Sequence, residues 1–183
     1  ATLRTGDLLE EFETREADAA LVVIGKRGEA ADFARLHLGS NLERIVRASH
    51  RPVLIASRAF RPIRKAVIAF DGRSGVLKAL RAVAESPLSQ GVAFDVVTAG
   101  AETAEARRQL DGALATLRAA GLRAEGRIAP GEAAPVVQDA VEQGGADLLI
   151  MGAFGHSRLR SLVIGSVTAE LIRGCKVPAL VYR

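Results

Sequence analysis

Cysteine is nearly missing from this chain, with Cys175 the sole example in 183 residues. No disulfide can close within it, and a lone thiol fits a reducing compartment. Its position at the end of a short helical pattern points to packing rather than redox chemistry. Tryptophan is absent and aromatic residues make up only 4%. No row of aromatics therefore alternates with basic residues as a single-strand nucleic-acid platform requires. No stretch of about 18 apolar residues occurs, which argues against a membrane-spanning helix. Nothing at the start reads as a secretory leader, so a cytoplasmic protein is expected. Charge of one sign is also in short supply. The net charge is +4, and residues 1–58 hold nine Lys/Arg and nine Asp/Glu, leaving the whole excess on 59–183. That imbalance suits a small anionic ligand and is too weak to indicate nucleic acid.

What is present is aliphatic: 49% of residues are hydrophobic and 25% charged, enough for a globular core of Ala, Val, Leu and Ile. Leu148-Leu149-Ile150-Met151 reads as a buried parallel strand, because neither face is polar. Gly152 ends it, Gly155 follows, and nine residues later Gly165-Ser166 opens a short helix, Val167 to Arg173. Glycines at a strand end let backbone N–H groups approach a ligand closely. A helix beginning at Ser166 adds a hydroxyl and a positive dipole end at the same place. Arg158 and Arg160 on the loop supply cations for charge-assisted contacts. Phosphate binding is the chemistry these residue types suit; turn punctuation with a capping serine is the plainer alternative. No Gly-Lys-Ser/Thr occurs, so this is not a P-loop.

Gly152-x-x-Gly155, nine residues, then Gly165-Ser166 resembles the nucleotide-binding motif of the universal stress protein family. Lys176-Val177-Pro178-Ala179-Leu180-Val181 resembles that family's last turn and strand.

The pattern occurs twice. Val22-Val23-Ile24-Gly25 lies over Leu149-Ile150-Met151-Gly152, Gly39-Ser40 over Gly165-Ser166, and Pro52-Val53-Leu54-Ile55 over Pro178-Ala179-Leu180-Val181. The loop from Gly28 to Gly39 has ten residues where the later one has nine. This is an internal repeat of about 35 residues. Ser57-Arg58-Ala59-Phe60-Arg61-Pro62 is a linker. Residues 62–183 read as a complete domain, and 1–58 as the closing part of a first domain whose front half is not in the sequence, through truncation or as a natural short form.

Between the copies, strand and helix patterns alternate. A strand over Lys65–Phe70 is followed by a helix capped by Ser74 and stopped by Pro87. A second strand spans 92–98, and a long helix 101–120 ends at Gly121. A weaker strand spans 122–128, and a helix 133–143 ends at Gly144-Gly145. Alternating β and α elements predict an α/β fold, an open parallel sheet with helices on both faces. The resemblance implies five strands in the order 3-2-1-4-5, a Rossmann-like sheet of the adenine nucleotide alpha hydrolase type. Ligands of such sheets sit outside the strand carboxyl ends where the order reverses. That places Asp71, after the first strand, opposite Gly152.

The resemblance further implies ATP or AMP as ligand, with Mg²⁺ accompanying ATP, and puts Asp71 near the adenosine. The expected contacts are Ala69, Asp71, Met151 and Gly152 at the strand ends, then Gly155, His156 and Arg158 on the loop. Gly165, Ser166 and Val167 complete the set at the helix start. Asp71-Gly72 is equally able to be a simple turn, and His156 a solvated loop histidine. His37 and His50 have no second ligand at metal spacing, and Gly-x-Ser-x-Gly is absent. No catalytic residue is assigned.

Three functional classes stay open at this level. They are a stress-response or regulatory module that binds adenine nucleotide, a slow ATPase or phosphotransferase, and an interaction domain without nucleotide. The resemblance also implies pairing through the final strands of the two repeats, Val53–Ala56 and Ala179–Tyr182. An uncovered apolar face on 1–58 leads to the expectation of a homodimer or higher homo-oligomer.

Overall fold

The structure, a computed structural model, describes residues 5–26, 40–57, 59–153 and 165–183. Helix α1 (Leu8–Glu16) leads to β1 (Val22–Gly25), then α2 (Ser40–Ala48) and β2 (Val53–Ala56). After the linker come β3 (Lys65–Ala69), α3 (Ser74–Glu85), β4 (Ala93–Ala99), α4 (Ala104–Ala119) and β5 (Arg123–Ala129). The chain closes with α5 (Ala133–Gln143), β6 (Leu148–Gly152), α6 (Ser166–Gly174) and β7 (Ala179–Tyr182).

The local reasons are plain in the residues. Helix α3 buries Val76, Ala79, Leu80 and Val83, a stripe at helical spacing. It begins at Ser74 without a capping side chain, the cap position being Arg73, so the expectation that Ser74 caps it is corrected. Helix α4 is shorter than the expected 101–120, because the Thr103 hydroxyl accepts from Ala106 N–H at 3.1 Å and sets its start. In β6, Leu148 to Met151 are all buried, as a strand covered on both faces must be.

Among the described residues the sheet has seven strands in the order β1-β2-β7-β6-β3-β4-β5, not five. The order β5-β4-β3-β6-β7 is the predicted 3-2-1-4-5. The two extra strands join because β2 pairs antiparallel with β7, Leu54 opposite Leu180 and Val53 opposite Val181. Every other pairing is parallel. Two apolar edges thus satisfy each other's ladder groups, as the pairing expected for those segments requires. The far edge, β5, is protected differently, by exposed Arg123, Glu125 and Arg127.

The core has two layers, one on each sheet face. Val67, Val97, Leu149 and Met151, with Val53 and Ile55, pack under α5, α6 and α2 residues Leu42 and Val46. Ala66, Ile68, Phe70, Val96 and Ile150 pack under α3 and α4. The halves also hold each other's helix ends. Lys26 Nζ donates to the Cys175 carbonyl after α6. Arg183 donates to the Arg47 carbonyl at the end of α2, at 2.8 Å. Both put a cation on the negative end of a helix from the other half.

Candidate functional site

Strand order reverses between β3 and β6, whose carboxyl ends lie side by side with Ala69 opposite Met151. A crevice at a sheet's carboxyl edge forms at such a reversal, because the connections leave to opposite faces. Here the β3 connection goes to α3 on one face and the β6 connection goes to α6 on the other. Two helix N-termini therefore flank the reversal.

The approach of α3 is unusually close. A Cβ on Gly75 would stand 3.0 Å from the Tyr182 carbonyl oxygen and 3.2 Å from Gly152 Cα, and one on Gly152 would stand 3.3 Å from Val76 N. These contacts are with backbone, which cannot swing aside. Gly75 and Gly152 are glycines because the start of α3 presses on the end of β6. Ala153 N–H donates to the Tyr182 carbonyl at 2.7 Å, continuing the ladder past β6.

Helix α6 starts at Ser166 with Gly165 as its cap residue. Its first intrahelical bond runs from Ala169 N–H to the Gly165 carbonyl at 2.9 Å. The N–H groups of Ser166, Val167 and Thr168 have no partner inside the helix. Ser166 and Val167 are exposed, while Thr168 is buried and its hydroxyl donates to the Gly152 carbonyl at 3.4 Å. That bond ties the N-terminus of α6 to the end of β6. Among the described residues it leaves the N–H groups of the first turn without a partner, with Ser166 and Val167 exposed beside them, an arrangement in which an anion would be stabilised.

Of the sequence-predicted residues, Ala69, Met151 and Gly152 fall at the reversal and Gly165, Ser166 and Val167 at the helix start. Gly155, His156 and Arg158 lie outside the described residues. Asp71 is exposed and works within its own turn: its carboxylate accepts from Arg73 N–H at 3.0 Å and lies 3.8 Å from Arg73 Nε. Gly72 completes the turn at φ +70°. Sequence reading did not single out Gly75 or Thr168. Gly75 carried one signal, a glycine just inside a helix start directly after an Asp-Gly turn. Thr168 carried none, since a threonine in a first turn is unremarkable. Among the described residues, no group of three or more His, Cys, Asp or Glu side chains is placed to hold a metal ion.

The sequence model described as the universal stress protein family matches this chain over residues 8–57 and 58–183. Universal stress protein Slr1230 of Synechocystis sp. (strain ATCC 27184 / PCC 6803 / Kazusa) is 38% identical over 182 residues, covering 98% of this chain and 63% of the relative. The chain thus spans less than two thirds of that relative's length. A solved universal stress protein from Archaeoglobus fulgidus DSM 4304 superposes with a TM-score of 0.75 at 21% identity, over 96% of this chain and 64% of the other. A universal stress protein solved in complex with cAMP matches 67% of this chain and 98% of its own, with a TM-score of 0.57 at 25% identity.

Proposed function

Because this chain belongs to the universal stress protein family, we propose that residues 62–183 form a complete adenine-nucleotide-binding module serving stress response or regulation. Residues 1–58 are the closing part of a first such domain. The observation that carries the reading is the N-terminus of α6, with N–H groups that have no acceptor within the helix and an exposed Ser166 at the point where strand order reverses. The complex of a structural neighbour with cAMP supports an adenine nucleotide as the ligand class.

In this reading the phosphates rest on the N–H groups of Ser166 to Thr168 and on the Gly152–Gly155 segment. Arg158 faces the outer phosphates. The base and ribose lie along Ala69, Asp71 and Met151. ATP or AMP fits, with Mg²⁺ accompanying ATP. The protein acts by binding, in the cytoplasm, and assembles as a homo-oligomer.

Gly165→Val tests the site. Gly165 has φ −53° and ψ 139°, a conformation valine adopts without strain, so any loss reports on space rather than on backbone. Calorimetry is expected to find ATP binding to wild type and none to the variant, with an unchanged melting temperature. Equal affinity in both would remove the helix start from the site.

A further inference from the structure

A second cleft opens on the sheet face that α5 covers, away from the strand carboxyl ends. Alternation along the strands puts Lys65 of β3 and Asp95 of β4 on the face that carries Val67 and Val97. Glu125 and Arg127 of β5 share that face, because they stand opposite Asp95 and Val97 in the ladder. With Gln143 and Gly144 at the end of α5, these side chains line an open cleft of about 420 Å³. Among the described residues, no aliphatic or aromatic side chain contributes to its lining.

The charges in this cleft are incompletely paired. Asp95 stands directly opposite Glu125, and like charges so placed repel each other. The Asp95 side chain is only 16% exposed, and Arg127 comes no nearer to it than 4.0 Å. Lys65 is half-buried, and among the described residues its ammonium has no hydrogen bond or ion pair. It lies beside the last residues of α5, where a Cβ on Gly144 would stand 3.6 Å from Nζ. Protection of an open edge accounts for the charges on β5. It does not account for Asp95 and Lys65, which stand on interior strands. Charges withdrawn from water are stable when paired. The cleft therefore has a negative side and a positive side, each short of a partner.

We propose that this cleft is a binding site for a free α-amino acid with a polar side chain. The ligand's ammonium sits between Asp95 and Glu125, where its three donors relieve the repulsion of the two carboxylates. Its carboxylate rests on the Lys65 ammonium, and Arg127 closes the outer side. A simple cation would leave Lys65 without a partner. A simple anion would meet Asp95 and Glu125. The zwitterion answers both sides at once. Walls without apolar groups exclude an aliphatic or aromatic side chain and keep the affinity low, with a dissociation constant of about 1 mM. The whole site is built from residues 65–144 and is independent of the α6 N-terminus and of nucleotide binding.

L-serine is the probe, titrated into the isotope-labelled intact chain and followed by the amide resonances of Asp95 and of 125–127. L-serinamide and N-acetyl-L-serine are the controls, since each lacks one of the two charges. L-serine should shift these resonances saturably, and each control should bind at least tenfold more weakly. Asp95→Asn and Lys65→Gln should each weaken L-serine at least tenfold while ATP affinity, measured on the same samples, stays as in the parent chain. Glu125→Gln, at an exposed position, should weaken L-serine in the same direction and serves where Asp95→Asn does not fold. Absence of a saturable shift with L-serine would overturn the proposal. Equal affinity for L-serinamide would reduce the cleft to a cation site and overturn it too. So would L-serine affinity that is unchanged in Lys65→Gln and Glu125→Gln.

Discussion

Glu16 is the sharpest point at which to perturb the first half. It is a carboxylate at the end of α1, only 7% exposed, with no Lys or Arg in salt-bridge contact among the described residues. Its Oε1 instead accepts from the Ser49 hydroxyl, from His50 N–H at 2.5 Å and from Arg51 N–H at 2.9 Å. His50 Nδ1 lies 3.3 Å from Oε2. One carboxylate thus closes the turn between α2 and β2, and Arg51 returns the tie by donating to the Glu16 and Ala17 carbonyls at 3.3 and 2.7 Å. Glu16→Ala removes three hydrogen bonds to the carboxylate, although the Ser49 hydroxyl keeps the Arg51 carbonyl and Arg51 N–H keeps Ser49 Oγ. At about 1 kcal/mol each for partly buried groups, the expected loss is about 3 kcal/mol. Glu16→Gln keeps an acceptor but not the charge and should lose about 1–2 kcal/mol. The other tie of α1, Arg44 to Asp7 at 3.2 Å, is exposed on both sides and cannot compensate. Amide exchange in α1 and at His50–Arg51 should therefore accelerate about a hundredfold in Glu16→Ala, while 65–129 stays unchanged. Acid should act in the same direction. Burial pushes the Glu16 carboxyl up, but the Ser49 hydroxyl and the Arg51 and His50 N–H groups outweigh it and hold its pKa below the ordinary 4.5. The unfolded chain then binds the extra proton first. The stabilisation is present above about pH 4.5 and is lost as pH falls through the lowered native value. Exchange in α1 of Glu16→Ala within twofold of wild type would refute the clamp.

Two further outcomes are expected. Arg158→Ala should weaken ATP by about tenfold and AMP by less than twofold in calorimetry, since a loop arginine facing the outer phosphates loses a charge-assisted contact only with ATP; equal losses would take Arg158 out of the site. Burial raises the pKa of the Cys175 thiol against the opposing pull of Lys26. Cys175 should therefore react with a thiol reagent at neutral pH only after denaturation, and rapid labelling of the native protein would contradict its packing.

The layer order and the strand-to-strand pairing were legible because each is written in local runs. Apolar quartets ended by glycine mark strands, and stripes at helical spacing mark the helices between them. The strand count was not, because a count made within one copy stops at β7. Only the antiparallel match of Leu54 with Leu180 joins the sheets into one. The site was legible where a residue type has few uses, as at Gly152 and Gly165-Ser166. It was illegible where the role depends on a distant neighbour. Gly75 matters through Tyr182 and Gly152, more than 70 residues away. Asp71 shows the converse: its dipeptide permits both a turn and a ligand contact, and Arg73 N–H engages the carboxylate in the turn.

The repeat makes that distinction sharper than a comparison of unrelated proteins would. β1 and β6 have the same apolar chemistry, the same terminal glycine and the same hydrogen bonds to the strand beside them. Backbone conformation is therefore a property each copy carries in its own residues. Burial is not, for Ile150 and its counterpart Val23 differ from 2% to 62% exposure only through what stands next to them. The aliphatic pattern of β1 suits the buried interior that β6 occupies, while its present position is an edge.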